Sequence, residues 1–151
     1  GELFDTISVC LSKGLGCPIG SVLIGKKESM KGVLRVRKIL GGGMRQVGYL
    51  AAAGLYALDN HIERLEEDHQ KAKEIGEVLQ GLSFIKKVEP IETNIVIFEV
   101  NDTISEVDFL NKLKEKNIHI IGMGSNKLRI VTHLDYTNNM HEVVLKTLKS
   151  L

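Results

Sequence analysis

The chain has 151 residues, and its 20 Lys and Arg against 19 Asp and Glu give a formal net charge of +1, so no global field draws it to a nucleic-acid backbone or an anionic membrane. Aromatic residues make up only 5% and Trp is absent, which argues against a base-stacking platform. No apolar run is long enough to span a bilayer and the N-terminus lacks the succession of a signal peptide; the expectation is a cytoplasmic protein, either one domain with a sizeable core or two unequal pieces of something larger.

The chain opens on "GELFD", without Met, and enters an apolar strand pattern almost at once, an unusual start for a domain. Residues 6–11 alternate and are rich in β-formers, and residues 21–24 form a second short apolar run, so two strands joined by a Gly- and Pro-containing loop are expected. Residues 27–39 mix cations and apolar side chains at helical spacing until "LGGG" stops them. Residues 44–82 predict one long helix or two in series. "YLAAAGLYAL" reads as its buried, closely packed part, and the environment changes to a charged surface helix near residues 59–62. Beyond it, "FIKKVEP" and "NIVIFEV" predict strands, "ISEVDFLNKLKEKN" an amphipathic helix, "IHIIGMG" and "KLRIVTH" two more strands with a turn at Asn126, and "NNMHEVVLKTLKSL" a last helix. That order predicts a small α+β domain, one sheet with its helices on one side. The two leading strands cannot bury both faces with the other elements of this chain.

Three stretches carry candidate chemistry. In "LSKGLGCPIGS", Lys13 stands among Gly14, Gly16 and Gly20 at a strand end, where α/β proteins place ligands and glycine lets backbone approach a flat group. A lysine there is most often a solvated cation; desolvated or flanked by cations, its amine becomes a nucleophile toward a carbonyl. In "RVRKILGGGMRQ", Arg35, Arg37, Lys38 and Arg45 surround three glycines. This is either an anion site, built of turn amides, a helix N-terminus and cations, or a helix C-cap with a solvated basic face. In "LRIVTHLD", Arg129 sits among aliphatic residues at the expected start of a strand, where its planar fork suits a substrate carboxylate or a structural salt bridge. The spacing of Cys10 and Cys17 fits no zinc or redox motif, and Cys10 reads as a small buried apolar residue. His61 and His69 fall on a charged helical face that reads as solvated, and no metal is expected.

The blocks "LSKGLGCPIGSVLIG", "RKILGGGMRQVGYLAAAGLYAL" and "LRIVTHLD", in this order and separation, strongly resemble the C-terminal part of the low-specificity L-threonine aldolases. The resemblance runs over nearly the whole chain and is weakest between residues 74 and 126. It implies an α/β fold: the C-terminal part of a fold-type I pyridoxal-phosphate large domain over residues 1–60, then the small α+β domain over residues 61–151. It implies that Lys13 forms the internal aldimine with pyridoxal phosphate, and that Lys38 and Arg45 lie near the cofactor phosphate, in some members that of a neighbouring subunit. It implies that Arg129 binds the substrate α-carboxylate; His133, in the matching "VTH" block, receives no role. The implied reaction cleaves L-threonine or L-allothreonine, β-hydroxy amino acids, to glycine and acetaldehyde in a homo-oligomer.

In this family the acid paired with the pyridine nitrogen, the histidine stacked on the ring, the phosphate cup and a second carboxylate-binding arginine all precede the lysine block. None has a counterpart here, so the chain by itself is expected to be inactive without the missing N-terminal half. Two alternatives stand beside the aldolase reading: a non-catalytic folding or oligomerisation module, and another fold-type I pyridoxal-phosphate lyase such as a β-eliminating enzyme.

Overall fold

The computed structural model describes residues 1–151, which form two compact units, Gly1–Glu63 and Arg64–Leu151. In the first, β1 (Thr6–Cys10) pairs antiparallel with β2 (Ser21–Gly25), in a register running from Thr6 opposite Gly25 to Cys10 opposite Ser21. Ile7 and Val9 are half-buried on one side of β1, while Thr6, Ser8 and Cys10 are exposed on the other. Cys10 is therefore not the buried thiol expected of it. Side chains alternate along a strand, and the phase set by Ile7 and Val9 turns Cys10 outward; the buried cysteine is Cys17.

The helix expected over residues 27–39 begins only at α1 (Val33–Ile39). Gly32 adopts a left-handed φ of 79° in front of it, and the residues before it close turns instead, Met30 N–H to Lys26 O at 3.1 Å and Lys31 N–H to Glu28 O at 3.2 Å. Glycine costs about 1 kcal/mol in a helix interior and adopts positive φ freely, so the chain turns there. The long pattern after it is two helices: α2 (Gly48–Asn60) in the first unit and α3 (Leu65–Gln80) in the second. The expected burial of "YLAAAGLYAL" is not met. Within α2 only Gly54 and Ala57 are buried, and Tyr49 is 83% and Leu55 65% exposed.

The second unit continues with β3 (Ile85–Val88), β4 (Ile95–Val100), α4 (Glu106–Lys114), β5 (Ile121–Gly124), β6 (Lys127–Val131) and α5 (Asn138–Lys149). Its strands pair antiparallel in the order β3-β4-β6-β5. Val96, Phe98 and Val100 of β4 and Leu128 of β6 face the core with Ala72, Ile75 and Leu79 of α3, Phe109 and Leu113 of α4 and Leu148 of α5. All three helices therefore cover one face of the sheet. Side-chain oxygens start two of them: Ser105 accepts from Asp108 N–H at 3.0 Å and Thr137 from Met140 N–H at 3.3 Å, each an N-cap worth about 1 kcal/mol. Ser125 and Asn126, at φ 54° and 61°, make the β5–β6 turn that Asn126 predicts. No helix is long and apolar enough to cross a membrane.

Candidate active site

Lys13 is exposed on the loop between β1 and β2. The base of this loop is closed by Leu11 N–H to Gly20 O at 2.9 Å and Cys17 N–H to Leu11 O at 3.1 Å, and its tip by Gly16 N–H to Lys13 O at 2.9 Å. The α2 side holds it as well. The buried Cys17 thiol donates to Ala53 O at 3.6 Å, Leu11 Cδ1 lies 3.4 Å from where a Cβ would stand on Gly54, and His61 Nδ1 meets Leu15 O at 2.6 Å. The small residues 53 and 54 of "AAAG" let the loop lie close on the helix. His61 thus caps α2 and contacts the lysine loop instead of standing on a solvated face, a role that no local pattern discloses across 46 residues.

The glycine triplet is a helix C-cap. Gly41, at φ 84°, follows the C-cap residue Leu40; its N–H donates to Lys38 O at 3.1 Å and that of Gly42 to Arg37 O at 2.7 Å. These are the two bonds of a Schellman ending, which calls for a left-handed residue where Gly41 stands. Gly43 N–H turns back to Gly41 O at 3.0 Å, so the three glycine amides are committed within the chain and are not turned to an anion. The triplet has a second function. A Cβ on Gly42 would stand 2.7 Å from Arg37 Cγ, and one on Gly43 3.0 Å from both Cδ and Nζ of Lys38; the missing side chains make room for the two cations to fold over the turn. Arg45 follows in the loop before α2, ahead of Gln46 at φ 52°.

The ion pairs of the chain are Arg64–Asp68, Lys86–Glu99 and Lys87–Glu89, and two histidine–carboxylate contacts, His133–Asp135 and His141–Glu74, stand beside them. All lie in the second unit. Lys13, Lys38 and Arg45 have no acidic partner, and Gly1–Glu63 carries eight Lys and Arg against five Asp and Glu.

Arg129 lies in the middle of β6 and not at its start, between Ile97 of β4 and Ile121 of β5. Leu128 before it is fully buried toward the helices, so by strand alternation Arg129 projects from the opposite face. It is half-buried and forms no salt bridge within the chain. Its Nε is a buried donor without a hydrogen-bond partner, a state that costs about 1–3 kcal/mol. Arg129, His133 and Tyr136 are among the residues lining a cavity of about 310 Å³. Asp135 N–H donates to His133 Nδ1 at 3.1 Å, which leaves Nε2 as the protonated nitrogen of the neutral ring.

Just past Arg129, Thr132 is fully buried and all of its polar groups are engaged. Its hydroxyl donates to Asp68 O at 2.6 Å, its N–H to Asn94 O at 3.0 Å, and its carbonyl accepts from Asn94 Nδ2 at 2.7 Å. Asp68, 0% exposed, takes both terminal nitrogens of Arg64, at 2.6 and 3.1 Å. This junction ties the end of β6 to the starts of β4 and α3. Sequence reasoning missed it, because Asp68 lies in a charged stretch that reads as surface. Nearby, Glu74 Oε2 accepts from His141 Nε2 at 2.8 Å, and that bond, then one from Gln70, holds the Glu74 carboxyl below its usual range. Burial pushes the Tyr136 hydroxyl up to about 12. No group of three or more His, Cys, Asp or Glu side chains is placed to hold a metal ion.

The sequence profile of the beta-eliminating lyases matches residues 1–103, and the chain belongs to that family. It is 40% identical over 138 residues to low-specificity L-threonine aldolase 1 of Arabidopsis thaliana, covering 89% of this chain and 38% of that protein. It is 41% identical over 133 residues to the low specificity L-threonine aldolase of Escherichia coli K12, covering 87% of this chain and 38% of that one. The chain thus spans well under half the length of these curated relatives. Among solved structures, a putative aromatic amino acid beta-eliminating lyase/threonine aldolase from Exiguobacterium sp. 255-15 superposes with a TM-score of 0.77 at 17% identity, over 99% of this chain and 45% of that one. The fold is the one expected, that of the fold-type I pyridoxal-phosphate enzymes.

Proposed function

We propose that this chain forms part of a cytoplasmic, homo-oligomeric pyridoxal-phosphate lyase that cleaves β-hydroxy amino acids, L-threonine or L-allothreonine, to glycine and acetaldehyde. Activity requires the N-terminal portion of such an enzyme, with a neighbouring subunit contributing to the cofactor site. The single observation that carries the reading is the buried, unpartnered Nε of Arg129 in the middle of β6. A guanidinium held there suits a carboxylate, which satisfies the stranded donor and accepts two parallel hydrogen bonds.

The other residues fit a phosphorylated carbonyl cofactor. Lys13 offers an amine without an acidic partner on a loop closed at base and tip. Lys38 and Arg45, also without acids, neutralise a phosphate as point charge and fork, respectively. When bound, pyridoxal phosphate supplies the electron sink for the charge left as the Cα–Cβ bond breaks. Arg129 holds the amino acid by its carboxylate and so orients that bond, and proximity of this kind is worth several kcal/mol in well-aligned reactions, about 7–11 at the limit.

The test uses the full-length protein that contains this chain, supplied with pyridoxal phosphate. Borohydride reduction followed by peptide mapping is expected to place the pyridoxyl group on Lys13, and threonine to yield glycine and acetaldehyde. A label elsewhere, or no cleavage of either threonine epimer, would overturn the reading. The family's description favours β-elimination as a second reading; release of pyruvate and ammonia from serine, without acetaldehyde from threonine, would select it.

A further inference from the structure

His61 stands at the C-terminus of α2, where its own N–H donates to Ala57 O at 2.8 Å. Its ring lies edge-on to Tyr56, with centroids 5.5 Å apart and planes at 87°, and its Nδ1 is 2.6 Å from Leu15 O. A carbonyl oxygen only accepts, so Nδ1 carries the hydrogen and the tautomer is fixed. Leu15 lies two residues beyond Lys13, inside the turn closed by Gly16 N–H on Lys13 O.

We propose that His61 is a positioning residue for Lys13: its Nδ1–H tethers the tip of the lysine loop to α2. The proposal rests on the reading that Lys13 carries the cofactor. The other ties of the loop act at its base, through Leu11, Cys17 and Gly20. Between them runs the arc of residues 12–16, with Gly14 and Gly16 in it, and the His61 bond joins that arc to the helix. A flexible lysine on a free arc samples many positions, and a misplacement of about 1 Å at a reacting group can cost on the order of 100-fold in rate. The Tyr56 ring keeps the imidazole from swinging away, so the donor is aimed before any ligand arrives.

The test is made on the full-length, cofactor-loaded protein with two substitutions. His61→Leu keeps bulk and removes the donor. His61→Asn keeps it, because the Asn Nδ2 and the His Nδ1 are both attached to Cγ and reach the same distance from the backbone. Amide hydrogen exchange at Gly16 reads the turn beneath Lys13 directly, and amides of the β1–β2 ladder report whether the unit itself is intact. His61→Leu is expected to speed Gly16 exchange by about tenfold or more and to lower kcat by about tenfold, with KM for the amino acid within about twofold and the ladder still protected. His61→Asn is expected to stay within about threefold of the unsubstituted protein in both. Should the leucine variant not fold, His61→Ala carries the same expectations.

Unchanged Gly16 exchange in the donor-less variant, or an Asn variant that behaves like it, would overturn the tether. The two proposals fail separately. Faster Gly16 exchange in a protein that never cleaves threonine supports the tether and sinks the aldolase reading, whereas cleavage with an unmoved Gly16 does the reverse.

Discussion

Gly1–Glu63 and Arg64–Leu151 are built on different terms. The second unit buries ten apolar residues in a continuous core and begins two helices with side-chain caps. It also contains every ion pair of the chain, and carries twelve Lys and Arg against fourteen Asp and Glu. The first buries Cys17, Gly54 and Ala57, starts α1 and α2 without side-chain caps and leaves all five residues of β2 exposed. Its cations stand unpaired and its large apolar side chains uncovered within this chain. The contrast separates stability from chemistry: the second unit satisfies itself, and the first presents groups to be satisfied by something else. Arg129 is the exception, one unsatisfied donor in an otherwise self-sufficient unit.

The largest expected effect tests where the stability lies. Phe109 is fully buried and meets Phe98 edge-on at 5.8 Å and Phe84 at 5.9 Å. Phe109→Ala is expected to cost about 3–5 kcal/mol in urea unfolding of the second unit's signal. Leu55→Ala in α2, at a residue 65% exposed, is expected to stay within about 0.5 kcal/mol in this chain. In a longer protein whose remaining part covers α2, the same substitution rises to about 2 kcal/mol or more. Equal costs for the two substitutions in this chain would erase the contrast.

Thr132 comes next. Thr132→Val keeps shape and leaves the buried Asp68 carbonyl without the hydroxyl that now donates to it at 2.6 Å. The expected cost is about 1–3 kcal/mol, and Thr132→Ser is expected to recover most of it. Because the junction lies three residues beyond Arg129, the valine variant also sharpens the picture of Arg129 as a group held from behind. KM for the amino acid is expected to rise more than kcat falls in the full-length protein.

Elements whose burial is decided by their own periodicity were legible. The alternation of "NIVIFEV" gives a strand with Val96, Phe98 and Val100 inward, and the stripes of α3 and α5 give helices with Ala72, Ile75, Leu79 and Leu148 inward. Features that depend on distant residues were not. Cys10 faces out because of the phase of its strand, and the large apolar residues of α2, Tyr49 and Leu55 among them, are exposed because no element of its own unit covers them. The helical spacing over residues 27–39 was overridden by one left-handed glycine at 32. At the site, resemblance named roles for Lys13, Lys38, Arg45 and Arg129, and composition alone left each open. The supports were silent in sequence. His61 reaches Leu15 across 46 residues and Thr132 reaches Asp68 across 64, and local spacing encodes neither.

The smallest effect discriminates most finely between an apolar and a polar origin of the second unit's stability. The His141 hydrogen bond, and then that of Gln70, holds the Glu74 carboxyl below its usual 4.5. A carboxyl lowered on folding contributes stability that is present above its unfolded value and lost as the pH falls through the folded one. The window is therefore the acid range beneath 4.5. The Glu74 side chain is 38% exposed, so solvent screens the pair and Glu74→Gln is expected to cost less than about 1 kcal/mol near neutrality. Gln keeps an oxygen for His141 Nε2–H and gives up, besides the charge, only the exposed hydrogen bond from Gln70. Chemical unfolding in a pH series is expected to show the two proteins converging once both side chains are neutral in acid. A cost comparable to Phe109→Ala, or a gap that persists in acid, would place the second unit's stability in its polar network and not in the aromatic and aliphatic core, and the contrast between the two units would then be one of charge pairing.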